Sequence, residues 1–236
     1  MTTNLSTRNL STTAFLLGSI FWQSVDAQST VSVYASAGPT NIEVNGLGMM
    51  EVVDPYIKSI AQYTAGIQYE KGLTRQLYLV TGGQYSSRGF GAREQFDVEV
   101  IGIDIPIGAS LETRLHYIEV PLMLKYNLTN HGVTPYIKAG ATGGYAVSGK
   151  ITPKINAIID WNLPKINVNL DNDLYNRFDF SAVAGAGISI PAGQNGSINL
   201  EASYRHSLND MFLDNYTDVR IKSHGLAFGI GYSMRF

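Results

Sequence analysis

The side chains that could perform acid–base or nucleophilic chemistry cluster near the C-terminus of this sequence. A hydroxyl, an imidazole and a carboxylate are the parts of a hydrolytic site, and all three occur there. The parity of the alternating pattern, however, places both histidines of the group with Tyr204 and Leu226 on the apolar face. We therefore expect interfacial histidines and no catalytic centre, and an enzyme stays the alternative. The group comprises His206, Ser207, Asp210, Ser223 and His224.

Metal and cofactor chemistry finds little support. Five aspartates in loop segments could supply oxygen ligands for calcium, but their spacing does not make an EF-hand, and solvated loop charge is the expected reading. The chain contains no cysteine, which excludes disulfides, thiolate zinc sites and cysteine nucleophiles. The sequence therefore predicts no cofactor and no metal. The aspartates are Asp171, Asp173, Asp210, Asp214 and Asp218.

The composition indicates a chain of many short strands. Of its 236 residues 44% are hydrophobic and 15% are charged, and the net charge of -2 provides no cationic surface for nucleic acid. Twenty-four glycines and fourteen tyrosines fit strands joined by turns better than they fit a helical enzyme. No stretch after residue 27 has the run of about 18 apolar residues that a transmembrane helix needs.

Period-two alternation recurs along the chain and is clearest in the last segment. There, large apolar side chains from Leu226 to Phe236 alternate with small or charged ones from Gly225 to Arg235. We count about eight such strands, each near the length that crosses a bilayer at a tilt. Two further alternating segments, 98–107 and 165–170, leave strand extensions or ten strands as alternatives. The predicted strands are 31–37, 63–69, 77–85, 118–126, 137–145, 178–190, 198–204 and 225–236.

The lengths of the connections alternate as well. Long connections at 39–60, 87–114, 149–177 and 207–223 follow odd strands, and short ones at 71–75, 127–134 and 191–196 follow even strands. Short periplasmic turns with long extracellular loops are the pattern of bacterial outer-membrane barrels. The sequence therefore predicts an all-β fold, a closed antiparallel up-and-down transmembrane β-barrel with both chain ends in the periplasm.

Alternation alone would also fit a soluble lipocalin-like carrier. The two folds differ in which face of the strands, apolar or polar, points to the outside of the barrel. Glycines lie on the charged parity, where a water-facing exterior would not need them, whereas a narrow interior needs small residues beside long charged ones. We therefore place the polar face inside, as a plugging ion-pair network, with a selectivity ring in a narrow pore as the alternative. The predicted network contains Glu70, Glu119, Lys125, Lys138, Asp179, Glu201, Arg205 and Arg235.

The segment YIEVPLMLKY at 117–126, followed by PYIKAG at 135–140, resembles the PorT-like outer-membrane β-barrel family. The pieces AGAGI at 184–188, LEASY at 200–204 and LND at 208–210 follow in the expected order. The resemblance implies an outer-membrane location and a barrel fold, and it offers secretion-system components as partners. It transfers no catalytic residue.

The two ends of the chain carry processing and assembly signals. Residues 1–27 combine Arg8, an apolar run at 14–22 and the small-residue site Val25-Asp26-Ala27, which predicts a signal peptide and a barrel domain at 28–236. The end of the chain resembles the C-terminal aromatic signal that barrel assembly machinery reads. The expected partners are that machinery and outer-membrane lipid, without nucleic acid. The residues of the assembly signal are Tyr232, Met234 and Phe236.

Overall fold

The computed structural model describes residues 28–45, 57–100, 103–156, 161–162, 166–168, 176–210 and 220–236. The predicted signal peptide at 1–27 lies outside the described residues, as do Asp171, Asp173, Asp214 and Asp218. In the part of the chain that is described, no helix has the length and apolarity to span a membrane.

Eight long strands form a single sheet that closes on itself. Each strand pairs antiparallel with the next along the chain, and the first pairs with the last through fourteen residue pairs from Thr30↔Arg235 to Asn45↔Arg220. Closure leaves no unpaired edge in the barrel wall, as hydrocarbon requires. The strands are β1 Ser29–Asn45, β2 Ile60–Gly72, β3 Leu77–Val100, β4 Ile103–Asn127, β5 Thr134–Asn156, β6 Phe178–Pro191, β7 Gly196–Ser207 and β8 Arg220–Arg235.

The eight-strand barrel is confirmed, and the ten-strand alternative is wrong. Residues 98–100 and 103–107 belong to the ends of β3 and β4, which stay paired as far as Val100↔Ile103. Ile166–Val168 is a short segment that pairs with β5, and two others, Ile57–Lys58 and Trp161–Asn162, pair with β3 and β5. Much of the predicted loop at 87–114 is therefore strand, because the alternation continues past the membrane and the neighbouring strand satisfies the backbone there.

The short turns, the start of β1 and the end of β8 lie at the same end of the barrel. The turns at 73–76, 128–133 and 192–195 join β2 to β3, β4 to β5 and β6 to β7. Gly132 and Gly193 adopt φ angles of 65° and 84°, a left-handed conformation that favours glycine in tight turns. By the rule for outer-membrane barrels this end is periplasmic, so the extended ends of β3, β4 and β5 project outward from the cell.

The two faces of the wall have the predicted sense. Large apolar side chains such as Leu122 and Phe228 are 60% and 67% exposed on the outside, whereas acids, amides and hydroxyls are buried inside. An exterior of this kind would be unfavourable in water and is favourable in a bilayer. Aromatic side chains ring both ends, with Tyr69, Tyr126, Tyr232 and Phe236 at the periplasmic rim and Tyr63, Tyr85, Tyr145, Phe178 and Tyr204 at the outer rim.

The charged lumen as candidate functional site

The outer half of the lumen is organised around Glu119, whose side chain is fully buried on β4. Arg205 of β7 donates from Nη1 to Oε1 at 2.6 Å and from Nη2 to Oε2 at 2.9 Å, a bidentate contact. Arg88 of β3 donates from Nη2 to Oε1 at 3.0 Å, and the Ser86 hydroxyl donates to the same oxygen at 2.8 Å. The carboxylate thus accepts hydrogen bonds from donors on two other strands, β3 and β7.

Arg88 links Glu119 to a second carboxylate. Its Nη2 lies 2.6 Å from Oδ2 of Asp179, and its guanidinium stacks over the Tyr117 ring with Cζ 4.3 Å from the centroid. The Ser207 hydroxyl donates to Oδ1 of Asp179 at 2.9 Å and lies 2.9 Å from the Ser223 hydroxyl. Two arginines and two carboxylates therefore form one neutral, hydrogen-bonded layer.

A small apolar cluster lies between the outer cluster and the inner half of the lumen. It consists of Val80, Met123 and Val183, all buried and in contact. Polar side chains lie beside this cluster, and Gln84 hydrogen-bonds to both Tyr34 and Glu119.

The inner half contains two separate ion pairs. Lys125 Nζ lies 2.9 Å from Oε2 of Glu70, and Lys138 Nζ lies 2.7 Å from Oε2 of Glu201. Tyr136 joins them, because its hydroxyl donates to Oε2 of Glu201 at 3.1 Å while Lys125 Nζ lies 4.5 Å from its ring centroid.

Glycines on the neighbouring strands make room for these side chains. Tyr136 lies across from Gly187, where an added Cβ would stand 2.6 Å from the tyrosine hydroxyl. A Cβ at Gly144 would stand 3.0 Å from Cγ of Glu119. Two cavities of about 30 and 40 Å³ lie inside the lumen, each with room for a water molecule, and a larger space of about 230 Å³ at the periplasmic mouth is bordered by Glu70, Lys125 and Arg235.

The structure brings seven of the eight predicted lumen residues into two groups. Glu119, Asp179 and Arg205 share the outer cluster, and Glu70, Lys125, Lys138 and Glu201 form the inner pairs. Arg235 departs from the prediction: it is exposed at the periplasmic mouth and makes no ion pair with another described residue. It is the last residue of β8, where the lumen opens to water.

Sequence reasoning missed Arg88, which holds the outer cluster together. The sequence predicts a loop from residue 87, although Gln84, Ser86 and Arg88 continue the inward parity of β3. Following this alternation for one more step would have placed Arg88 in the lumen.

The hydrolytic group that the enzyme alternative requires is not brought together by the described residues. Ser207 and Ser223 point into the lumen, whereas His206 and His224 form a cross-strand pair on the outer face with ring centroids 6.4 Å apart. Asp210 lies beyond the end of β7, and its backbone carbonyl accepts from the Asn176 side chain. Within the described ranges no group of three or more histidine, aspartate or glutamate side chains could hold a metal ion.

The three residues of the predicted assembly signal lie on the outer face of β8. Tyr232 and Met234 are exposed, and Phe236 is 74% exposed at the periplasmic rim. The backbone N–H of Phe236 donates to the carbonyl of Ser29 at 2.9 Å, which closes β8 against β1 at the chain ends.

A closed antiparallel barrel with an apolar exterior, a charged interior and short turns at one end defines an outer-membrane β-barrel protein. The chain belongs to the family described as "Outer membrane protein beta-barrel domain", whose sequence model matches residues 26–213. Its location is the bacterial outer membrane. No curated protein matches the chain.

Several solved outer-membrane barrels are similar to this chain in fold. The N-terminal barrel domain of Pseudomonas aeruginosa OprF is 13% identical, with a TM-score of 0.37, and the match covers 89% of this chain and 99% of that one. Neisserial surface protein A is 13% identical, with a TM-score of 0.41, and the match covers 87% of this chain and 97% of that one. The Escherichia coli outer-membrane protease OmpT is 11% identical, with a TM-score of 0.48, and the match covers 91% of this chain and 99% of that one. Because the identities are so low, these likenesses concern the fold alone.

Proposed function

We propose that this protein is a structural, non-conducting outer-membrane barrel whose lumen is closed by its own ion pairs. The observation that carries the proposal is the burial of Glu119 between Arg88 and Arg205, both within hydrogen-bonding distance of its oxygens. Charges that satisfy one another this closely are not available to line a water-filled pore. The buried side chains of Val80, Met123 and Val183 fill part of the lumen between the two groups of charges, which supports the same conclusion.

Conductance in planar bilayers tests this proposal. We expect the purified protein to give little or no steady current under conditions in which an open porin, the positive control, conducts. Glu201→Ala leaves Lys138 buried without its carboxylate, so this variant should lose stability, by roughly 3 to 5 kcal/mol, and should not gain an ion selectivity. Large, stable, ion-selective channels in the wild-type protein, changed by Glu201→Ala at unchanged thermal stability, would overturn the proposal.

The specific role that we propose is PorT-like and associated with secretion. It rests on the resemblance of the segments 117–126 and 135–140, and the long outward extensions of β3 to β5 would give a partner a surface. Co-purification from native membranes under mild detergent tests this role. A reproducible complex with secretion components would support it, and a barrel that purifies alone from cells with an active secretion system would count against it.

The same proposal includes export, assembly and the absence of catalysis. Cleavage after Ala27 would start the mature protein at Gln28, and mass spectrometry that finds Met1 or Thr2 at the mature N-terminus would contradict this.

The exposed ring of Phe236 supports recognition by barrel assembly machinery. A non-catalytic role is supported by the separation of the histidines and serines onto opposite faces of the wall.

A further inference from the structure

Two cations occupy paired positions on the outside of the barrel, at the outer rim. Arg114 of β4 and Lys150 of β5 are register partners, and directly paired residues of antiparallel strands project from the same face. Arg114 identifies that face as the outer one, since its Nη1 donates to the Ala61 carbonyl at 2.9 Å and its Cζ lies 5.6 Å from the exposed Tyr63 ring. We call Arg114 and Lys150 the cationic rim pair.

The pairing of two like charges is unfavourable in the isolated protein. Like charges directly opposite on neighbouring strands destabilise a sheet, whereas at the β1–β8 pair of the same rim Glu43 stands opposite Lys222. Lys150 is exposed and makes no ion pair with another described residue. Glu112 precedes Arg114 on the same parity and has a polar contact of its own, and even with its charge counted the two cations leave the site net positive.

The surface below the cationic rim pair is shaped for acyl chains. Ile118, Val120 and Leu122 continue down β4 on the outer face and are all more than half exposed. Beside them, Tyr85 stacks on His116 with centroids 5.8 Å apart, and its hydroxyl lies 2.6 Å from Nδ1 of the histidine. The cations thus stand at headgroup depth, directly above a lipid-facing apolar strip and an aromatic girdle.

We propose that Arg114 and Lys150 bind a phosphate group of a phosphorylated glycolipid in the outer leaflet, whose acyl chains lie along β4. A phosphate would neutralise the cationic rim pair and accept charge-assisted hydrogen bonds from both side chains. The guanidinium of Arg114 is held in place by Ala61 and Tyr63, which reduces the ordering that binding requires.

Binding to defined lipids tests the site. The detergent-solubilised barrel is titrated with bis-phosphorylated lipid A, with the same lipid after removal of both phosphates, and with inorganic phosphate. We expect preference for the phosphorylated lipid, and Arg114→Ala/Lys150→Ala should weaken its binding roughly tenfold to thirtyfold, at about one kcal/mol for each cation at a charged lipid surface. The matched control Lys222→Ala removes a rim cation that stands opposite a carboxylate and should bind as wild type does.

A second variant separates binding from folding. Lys150→Glu gives Arg114 an opposite charge as its partner, so the barrel should remain folded and heat-modifiable while affinity for the phosphorylated lipid falls. Equal affinity of the wild type, the double variant and Lys150→Glu would overturn the proposal. Equal affinity for the dephosphorylated lipid would also overturn it, and so would binding of inorganic phosphate as tight as that of the lipid.

Discussion

At the scale of single residues, Glu119 is the side chain on which the outer lumen depends. It accepts from both nitrogens of the Arg205 fork, from Arg88 and from Ser86, and none of its surface is exposed. Burying a carboxylate is costly unless its oxygens are paired and hydrogen-bonded, and here they are. Removal of one member of such a buried pair therefore lowers the stability of the barrel, because the remaining charge stays buried without its partner.

We predict that Glu119→Ala destabilises the barrel by roughly 3 to 5 kcal/mol, because the largely buried Arg205 then loses its carboxylate and the buried Arg88 loses one of its two. Urea unfolding of the refolded protein in lipid vesicles measures the change in free energy. Arg235→Ala is the matched control, since it removes an exposed luminal-parity charge and should stay within about 0.5 kcal/mol of the wild type. Equal stability of Glu119→Ala and this control would show that the cluster contributes nothing.

At the scale of strands, glycines on one strand leave space for large luminal side chains on the neighbouring strand. Gly187 of β6 lies beside the ring of Tyr136 on β5, so one strand's missing side chain accommodates its neighbour's large one. Interiors as densely packed as this tolerate little added volume.

We predict that Gly187→Ala costs roughly 1 to 3 kcal/mol, because its Cβ would stand 2.4 Å from the Leu200 carbonyl oxygen and 2.6 Å from the Tyr136 hydroxyl. Gly83→Ala, on the outer face of β3 with nothing within 4 Å of the new Cβ, is the control and should be neutral or slightly stabilising. Thermal unfolding of both variants, read as loss of heat-modifiable folded protein, distinguishes them. If the two variants were equally stable, Tyr136 would not need the space beside Gly187.

At the scale of the whole molecule, closure is the event that makes the barrel compatible with lipid. The first and last strands must find each other although they are separated by the rest of the chain, and the Phe236 to Ser29 hydrogen bond completes that seam. An open seam would leave backbone groups unpaired in hydrocarbon.

We predict that deletion of Phe236 lowers the fraction of assembled, heat-modifiable barrel in the outer membrane much more than it lowers synthesis. The deletion removes both the exposed aromatic ring and the backbone donor to Ser29. Phe236→Tyr retains both and is the control. The amounts of folded protein in membranes, compared with total protein by immunoblot, give the answer, and equal assembly of all three forms would contradict the prediction.

The sequence by itself determined the class of fold and the sense of its two faces. Side chains in a strand alternate with a strict period of two, so the apolar parity around Leu226 and the charged parity around Glu119 can be assigned without coordinates. The alternating lengths of the connections also predicted that consecutive strands are neighbours, because the connections of an up-and-down barrel lie alternately at its two ends.

Only the tertiary structure decided which luminal charges meet. Partners such as Arg88 and Asp179, 91 residues apart, are set by the stagger of the strands around the closed barrel, and alternation carries no information on stagger. The stagger of the strands also places Arg235 at the mouth of the lumen and pairs Arg114 with Lys150 at the outer rim. Parity gives the face of a residue, whereas its height and its neighbours follow from closure.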